Sequence, residues 1–224
     1  MPIRKNLIIG FLNACSLGTG HEELFIAIKR HNVDVLGLNE TWLRQGEEGR
    51  APRFHEYRLI HTPRPQQIRS RGGGVGFYIR KSLNFRTLQH PCWSDVEQMW
   101  VAIKVRGKSI VIGTGYRPPW FSVDTFFNAL YDSVVSFSWA DHLIIVGDFN
   151  VNYSDSKSLG YRNLNEFLEL TKLSQFVNEP THFTTHNESL LDLVCADISA
   201  EQVTVDHISN LSDHSFINVL LSVM

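Results

Sequence analysis

The amino-acid sequence predicts an α/β protein in which two packed β-sheets are flanked by helices, a four-layer sandwich. Three observations predict this class. Apolar runs of strand length recur in both halves of the 224-residue chain, they outnumber the amphipathic helical segments, and hairpins are mixed with longer crossovers. A doubly wound parallel sheet would need a helix after nearly every strand, and the sequence does not supply them.

The first half predicts a strand, a helix and a second strand, followed by a hairpin. Residues 7–12 are continuously apolar, as in a strand that is buried on both faces. Leu24, Phe25 and Ile28 lie at helical spacing within residues 22–31, which predicts an amphipathic helix. Further strands are expected at residues 33–38 and 74–79, and residues 99–105 and 109–116 should form a hairpin around the turn 106–108.

The rest of the chain predicts two helices and four strands. Ser122 is placed to cap a helix at residues 122–137, and a second helix is predicted at residues 161–171. The apolar faces of these helices carry Phe126, Phe127, Leu130 and Val134, and Leu164, Phe167, Leu168 and Leu170. Strands are predicted at residues 142–147, 190–195, 202–208 and 216–223. The second and third of these are expected to pair as a hairpin beside the last.

The bulk composition is that of an ordinary globular protein, with 43% hydrophobic and 20% charged residues. No apolar stretch approaches the ~20 residues of a membrane span, and residues 1–5 lead into the first strand without a signal-peptide cleavage site. Cys15, Cys92 and Cys195 are odd in number and far apart. The sequence therefore predicts a reducing compartment, and neither a disulfide framework nor a zinc site.

Charge is distributed unevenly along the chain. Residues 57–94 contain seven Lys and Arg and no Asp or Glu, so this segment carries +7 and leaves −9 for the rest of a chain whose net charge is −2. A basic segment on an acidic body suits a phosphate-bearing partner. The alternative is a solvated basic loop and edge strand, and charge alone does not decide between the two.

Polar side chains of metal-binding types stand at the ends of the predicted strands in both halves of the chain. Taken alone, each is explained by a turn or by solvent exposure. Their convergence at one site would instead indicate a divalent-metal phosphodiesterase. The residues are Asn13, Glu40, Asp148, Asn150, Asp192, Asp213 and His214.

The chemistry assigns a candidate role to each position. Alternate residues of an extended segment point the same way, so Asp148 and Asn150 should face one side and together hold a metal-bound water and a phosphate oxygen. Glu40 is the best single candidate for a carboxylate ligand of Mg²⁺, a hard ion that takes one or two carboxylates with waters and phosphate. Asn13 can orient Glu40 or bind a metal water, and the phenol of Tyr116 can donate to a phosphate oxygen.

Asp192 and His214 form the proposed acid–base pair. A carboxylate bonded to one imidazole nitrogen fixes the tautomer and supports the charge that develops on the ring. Asp192 lies within an otherwise apolar strand, where a carboxylate is costly unless it is partnered. The alternative partner, Asp206, is followed by His207 only seven residues before His214, which is too near for the expected pair of strands.

These candidate residues follow one another in the order and rough spacing of the exonuclease–endonuclease–phosphatase superfamily, and the chain therefore resembles its members. The superfamily includes apurinic endonucleases, DNase I-like nucleases and inositol phosphatases. Within it, the chain is similar to the endonuclease domain of a non-LTR retrotransposon. The stretches that carry this resemblance are Arg71-Gly72-Gly73-Gly74-Val75-Gly76-Phe77-Tyr78-Ile79, Gly115-Tyr116-Arg117-Pro118-Pro119 and Leu190-Leu191-Asp192-Leu193-Val194.

The resemblance implies a DNase I-like fold, a single endonuclease domain over residues 1–224 excised from a larger polypeptide with reverse transcriptase, and a nuclear location. It implies Mg²⁺-dependent nicking of duplex DNA, with Mn²⁺ as a substitute, to leave a 3′-hydroxyl that primes reverse transcription. Glu40, Asn13 and Asp213 would hold the metal, while Arg64, Arg69, Arg71 and Arg117 would contact DNA. Apurinic endonucleases commonly carry Asp where this chain has Cys15, which removes one acidic contact.

Two other functions remain open at the level of sequence. An apurinic repair endonuclease would use the same site on damaged DNA, and a non-catalytic remnant would only bind DNA. The full set of catalytic residue types speaks against the remnant, and the triple-glycine strand favours the retrotransposon enzyme over the repair enzyme. Target sequence, host element, number of metal ions and oligomeric state are not determined by the sequence.

Overall fold

The computed structural model describes residues 6–65, 68, 72–91 and 93–223, and it confirms the predicted fold class. Three helices flank the sheets: α1 (His21–His31), α2 (Val123–Ser136) and α3 (Leu159–Thr171). The strands are β1 (Asn6–Asn13), β2 (Val35–Asn39), β3 (Tyr57–Thr62), β4 (Val75–Arg80), β5 (Phe85–Leu88), β6 (Glu97–Val105), β7 (Lys108–Tyr116), β8 (His142–Asp148), β9 (Ser174–Gln175), β10 (His182–Phe183), β11 (Glu188–Ser189), β12 (Asp192–Ala196), β13 (Ala200–Asp206) and β14 (Phe216–Ser222).

Two mixed six-stranded sheets pack face to face. The first sheet has the order β13-β14-β1-β2-β4-β3, and the second has the order β5-β6-β7-β8-β12-β9. The sheets approach each other closely at Gly37, where an added Cβ would lie 2.4 Å from Cγ2 of Val146 in the opposite sheet. A side chain at this glycine would therefore force the two layers apart.

Each helix covers the outer face of one sheet. Leu24 and Ile28 of α1 are buried against the first sheet. Phe126 of α2 reaches Gly115 of β7 in the second sheet, and α3 packs beside α2 through Phe127 and Phe167. Ser122 caps α2 as predicted, accepting the backbone N–H of Thr125 at 3.3 Å.

Three details of the sequence interpretation are wrong. Phe25 and Leu170 were assigned to apolar helix faces but are 40% and 60% exposed. The strand β12 does not pair with β13. It lies between β8 and β9 in the second sheet, whereas β13 pairs with β14 in the first. The short connection at residues 197–199 carries the chain from one layer to the other, so sequence neighbours become strands of opposite sheets.

Candidate active site

The strand ends that carry the candidate residues converge at one edge of the sandwich. In the first sheet, parallel β1 and β2 place Asn13 opposite Asn39. In the second sheet, Asp148 is flanked by Tyr116 on parallel β7 and by Asp192 on antiparallel β12. Both layers therefore contribute side chains to the same edge.

Asp148 is the buried centre of this site. Its carboxylate accepts hydrogen bonds from Asn13 Nδ2 at 2.8 Å, and from the backbone N–H and the Nδ2 of Asn150 at 2.9 and 3.1 Å. Its own N–H donates to Asn39 Oδ1 at 2.8 Å. Burial, followed by the negative charge of Asp192, raises the pKa of Asp148 to about 7. A carboxylate held in this way is suited to accept a proton near neutral pH.

His214 lies beside Asp148 and pairs with Asp192. The Nδ1 of His214 is 2.8 Å from Asp192 Oδ2, and both side chains are buried. Its Nε2 faces Asn13, whose Nδ2 is 3.5 Å away. Burial alone would lower the pKa of His214, but the charge and hydrogen bond of Asp192 outweigh burial and raise the pKa to about 9. The imidazole is therefore held as a cation with Nε2 directed into the site.

The alternative partner for His214 lies elsewhere. Asp206 pairs on the surface with His31 at 2.9 Å and with Arg30 at 3.2 Å, while His207 stacks on Phe183. Asp192, and not Asp206, is therefore the carboxylate in contact with His214.

Sequence reasoning did not find the residues that hold this pair. The hydroxyl of Thr181 accepts the backbone N–H groups of Leu191 and Asp192, and its carbonyl accepts that of Ser215 at 2.7 Å. The ring of His182 packs on His214 with centroids 4.5 Å apart. These residues belong to the short β10 region, where no apolar periodicity marks a strand.

Glu40 follows β2 and is held by three donors. Its carboxylate accepts from the hydroxyl of Tyr116, from Nε1 of Trp42, and from the N–H of Gly73 at 2.8 Å. Glu40 has a φ of 52°, in the left-handed region that residues with a Cβ seldom adopt. Burial and the neighbouring charge of Glu40 raise the pKa of Tyr116, so its phenol remains a proton donor.

The exposed rim of the site carries Asp213 and Cys15. The side chain of Asp213 is 56% exposed, and its carboxylate accepts from Cys15 Sγ at 3.0 Å. Ligand atoms of Cys15, Asp213 and His214 lie within 4.8 Å of one another, as do those of Asp148, Asp192 and His214. Cys15 therefore lies at the position where apurinic endonucleases commonly carry an Asp, and here it contacts Asp213 instead of providing a carboxylate.

Two residues predicted to contact DNA, Arg117 and Arg64, are bonded within the protein in this structure. The guanidinium of Arg117 is buried and donates to the carbonyls of Phe149, Phe121 and Asn150 at 2.6–2.7 Å, so it fixes two loops and is not presented to DNA. Arg64 is 6% exposed and pairs with Glu97 at 2.6 Å, so its charge is already compensated. Arg69 and Arg71 lie outside the described residues.

The donor set fits a hard divalent cation. Asp148 and Asp213 provide carboxylate oxygens and Asn13 an amide, which are ligands that such ions prefer, while Glu40, bonded to Tyr116, belongs to neither cluster of ligand atoms found among the described residues. Ligand atoms of two buried carboxylates, Asp148 and Asp192, and of one imidazole, His214, lie within 4.8 Å of one another, so these side chains offer more acidic than basic groups. A bound cation would relieve this excess.

This fold and this site define a hydrolase of phosphate esters. A family model described as the Endonuclease/Exonuclease/phosphatase family matches residues 12–214, and the chain belongs to that family. Its enzymes act on phosphate esters and generally depend on a divalent metal.

The relatives confirm the resemblance to retrotransposon proteins. The chain is 22% identical over 146 residues to an RNA-directed DNA polymerase from mobile element jockey of Drosophila funebris, and 27% identical over 154 residues to that of Drosophila melanogaster. The matches span 65% and 67% of this chain but only 15% and 16% of those proteins.

Solved structures share the fold at low sequence identity. The endonuclease domain of TRAS1, a telomere-specific non-LTR retrotransposon, superposes with a TM-score of 0.76 at 14% identity, covering 97% of this chain and 99% of that one. The 3′ phosphatase NExo from Neisseria, bound to a product DNA hairpin, superposes with a TM-score of 0.72 at 16% identity and covers 95% and 98% of the two chains. The described residues include no helix long and apolar enough to cross a membrane.

Proposed function

We propose that this chain is a Mg²⁺-dependent endonuclease domain that nicks duplex DNA and leaves a 3′-hydroxyl for reverse transcription. One observation carries the proposal: buried Asp148 lies between Asn13 and Asn150 and beside the His214–Asp192 pair, and Glu40 accepts from Tyr116, the strand neighbour of Asp148. The similarity to jockey proteins and to the TRAS1 domain favours DNA of a target site as the substrate.

The residues divide the work of an in-line attack on phosphorus. Asp148, with its raised pKa, accepts the proton of the attacking water, and Asn150 and Asn13 fix the direction of its carboxylate. The Nε2 of cationic His214 stabilises charge on the phosphate, because Asp192 holds the ring by Nδ1. The phenol of Tyr116, which donates to Glu40 in this structure, would turn its single O–H to a phosphate oxygen when the substrate binds.

A divalent cation held by Glu40, Asp213 and Asn13 would stabilise negative charge on the phosphate and leaving oxygens. We take Mg²⁺ as the working ion, with Mn²⁺ as a substitute. The acidic side chains would supply the ligands of the cation, and the protonated His214 would supply a second positive charge to the phosphate.

The length of the relatives supports the proposal that this domain is part of a larger protein. The chain spans about one sixth of the jockey proteins it matches, which are named as RNA-directed DNA polymerases. We propose that residues 1–224 form one endonuclease domain, covalently linked to a reverse transcriptase in the full-length protein. Action on chromosomal DNA would require this protein to enter the nucleus.

The test is a nicking assay on supercoiled plasmid with Mg²⁺, beside a matched linear duplex that carries one abasic site. We expect open circles with ends that a polymerase extends without further processing, and no product with EDTA. Cleavage confined to the abasic site would instead identify a repair endonuclease. Binding without cleavage, under all metal conditions, would leave a DNA-binding remnant.

A further inference from the structure

We propose that Glu97, with Arg64, is a positioning pair that prepares Glu40 to bind the divalent cation. This inference rests on the proposed function and concerns residues that touch neither substrate nor metal. Glu97 begins β6, directly opposite Tyr116 on β7, and its side chain is 3% exposed. A buried carboxylate at the start of an apolar strand is costly and calls for a specific partner.

Glu97 holds the loop that enters β4. One oxygen accepts Nε–H of Arg64 at 2.6 Å, and the other accepts the backbone N–H of Gly74 at 2.5 Å. Gly74 belongs to residues 72–74, here called the glycine strap, whose φ angles are 81°, 72° and 88°. Only glycine adopts three successive positive φ values without strain.

The glycine strap connects Glu97 to Glu40. The N–H of Gly73 donates to Glu40 Oε2 at 2.8 Å, while the next N–H, of Gly74, donates to Glu97. The carbonyls of Gly73 and Gly74 accept the N–H groups of Trp42 and Thr41 at 2.9 and 3.2 Å. Consecutive amides therefore bind two carboxylates from opposite sheets, and a shift of the strap would move Glu40.

Neighbouring side chains surround the strap so closely that a side chain at Gly73 or Gly74 would clash with them. A Cβ at Gly73 would lie 2.3 Å from Arg64 Nε and 2.5 Å from Glu97 Oε2. A Cβ at Gly74 would lie 2.5 Å from the hydroxyl of Thr41. The strap is therefore clamped between the Arg64–Glu97 pair on one side and the Glu40 segment on the other.

The experiment measures Mn²⁺ binding to the metal-free protein without DNA, from the EPR signal of free Mn²⁺. We expect Glu97→Gln to weaken Mn²⁺ binding by about 10–100-fold, as for other residues that orient a metal ligand. The double variant Arg64→Gln/Glu97→Gln should bind Mn²⁺ no better than Glu97→Gln, because the strap has then lost both members of the pair. Glu97→Asp, which keeps the charge but not the reach to Gly74, should fall between the parent and Glu97→Gln.

The control is Asp34→Asn, which breaks another buried pair, Asp34–Arg80, in the first sheet. It should reduce stability and leave Mn²⁺ affinity unchanged. If Glu97→Gln and Glu97→Asp are folded by near-UV circular dichroism and bind Mn²⁺ as the parent does, the positioning role is wrong. If the parent itself binds no Mn²⁺, the proposed function fails instead, and the inference falls with it.

Discussion

Single side chains determine the chemistry of the candidate active site, and their contacts distinguish them from residues of the same type elsewhere in the chain. Asp192 begins a buried strand and Asp206 ends an edge strand, and one pairs with buried His214 while the other pairs with partly buried His31. The sequence identifies the buried one because a carboxylate inside an apolar strand is costly. The same reasoning applies to Glu97, which the sequence interpretation overlooked.

Alanine variants of Asp148 and His214 should lose about 10²–10⁴-fold in nicking rate, since each removes a positioned proton acceptor or a charge-stabilising group. Neither side chain fills the apolar core, so the fold should persist. Asp206→Ala is the matched control, because it removes an Asp–His contact away from the site and should nick normally. Near-parental nicking by a folded Asp148 or His214 variant would contradict the assigned roles.

The titration of His214 should be shifted upward by Asp192. NMR of the ring in metal-free protein, with Nδ1 and Nε2 correlations assigned through His214→Gln, should give a pKa of about 9. Asp192→Asn removes the dominant charge and leaves burial, so the pKa should drop markedly. Because the folded pKa lies above the ordinary value of 6.5, the pair stabilises fully below pH 6.5 and loses its effect as pH rises through about 9. A pKa near 6.5 in the parent would contradict this pairing.

At the scale of elements, the sequence predicts the strands that are buried on both faces. The strands β1, β7 and β8 are continuous apolar runs at the centres of their sheets, and all were predicted. The strands β3 and β5 lie at sheet edges and mix polar with apolar residues, so periodicity does not reveal them. The pairing of β12 and β13 with their neighbours depends on the connection at residues 197–199, which carries the chain from one sheet to the other. No local sequence pattern predicts that change of sheet.

Arg117 joins the loops after β7 and β8, so its loss should destabilise the fold and not weaken DNA contacts. Arg117→Met leaves the carbonyls of Phe149, Phe121 and Asn150 without their donor, at a cost of about 3–6 kcal/mol. Chemical denaturation measures this change, with Lys104→Met as an exposed control. The slope of log DNA affinity against log salt should stay unchanged, whereas a lost phosphate contact would reduce it by about 0.9.

At the scale of the molecule, the site exists only where the two sheets meet. Asn13, Glu40 and His214 come from the first sheet and its connections, whereas Tyr116, Asp148 and Asp192 come from the second. The order of these residues along the chain could be predicted, because each follows or interrupts an apolar run. The contacts that hold these residues, such as the bond between the glycine strap and Glu97, depend on the packing of two sheets and could not be predicted from the sequence.

A cation that binds at this junction should hold the two sheets together and stabilise the whole fold. At a concentration 100 times its Kd, a ligand that binds only the folded state adds about 2.7 kcal/mol, which for a chain of this size raises Tm by about 5–10 °C. We expect such a rise with Mn²⁺ relative to EDTA in differential scanning calorimetry. Glu40→Gln should lose most of it, because one carboxylate ligand is gone, while Asp206→Asn should retain it. Equal Tm values with saturating Mn²⁺ and with EDTA would show that no cation links the two sheets, whatever the nuclease assay finds.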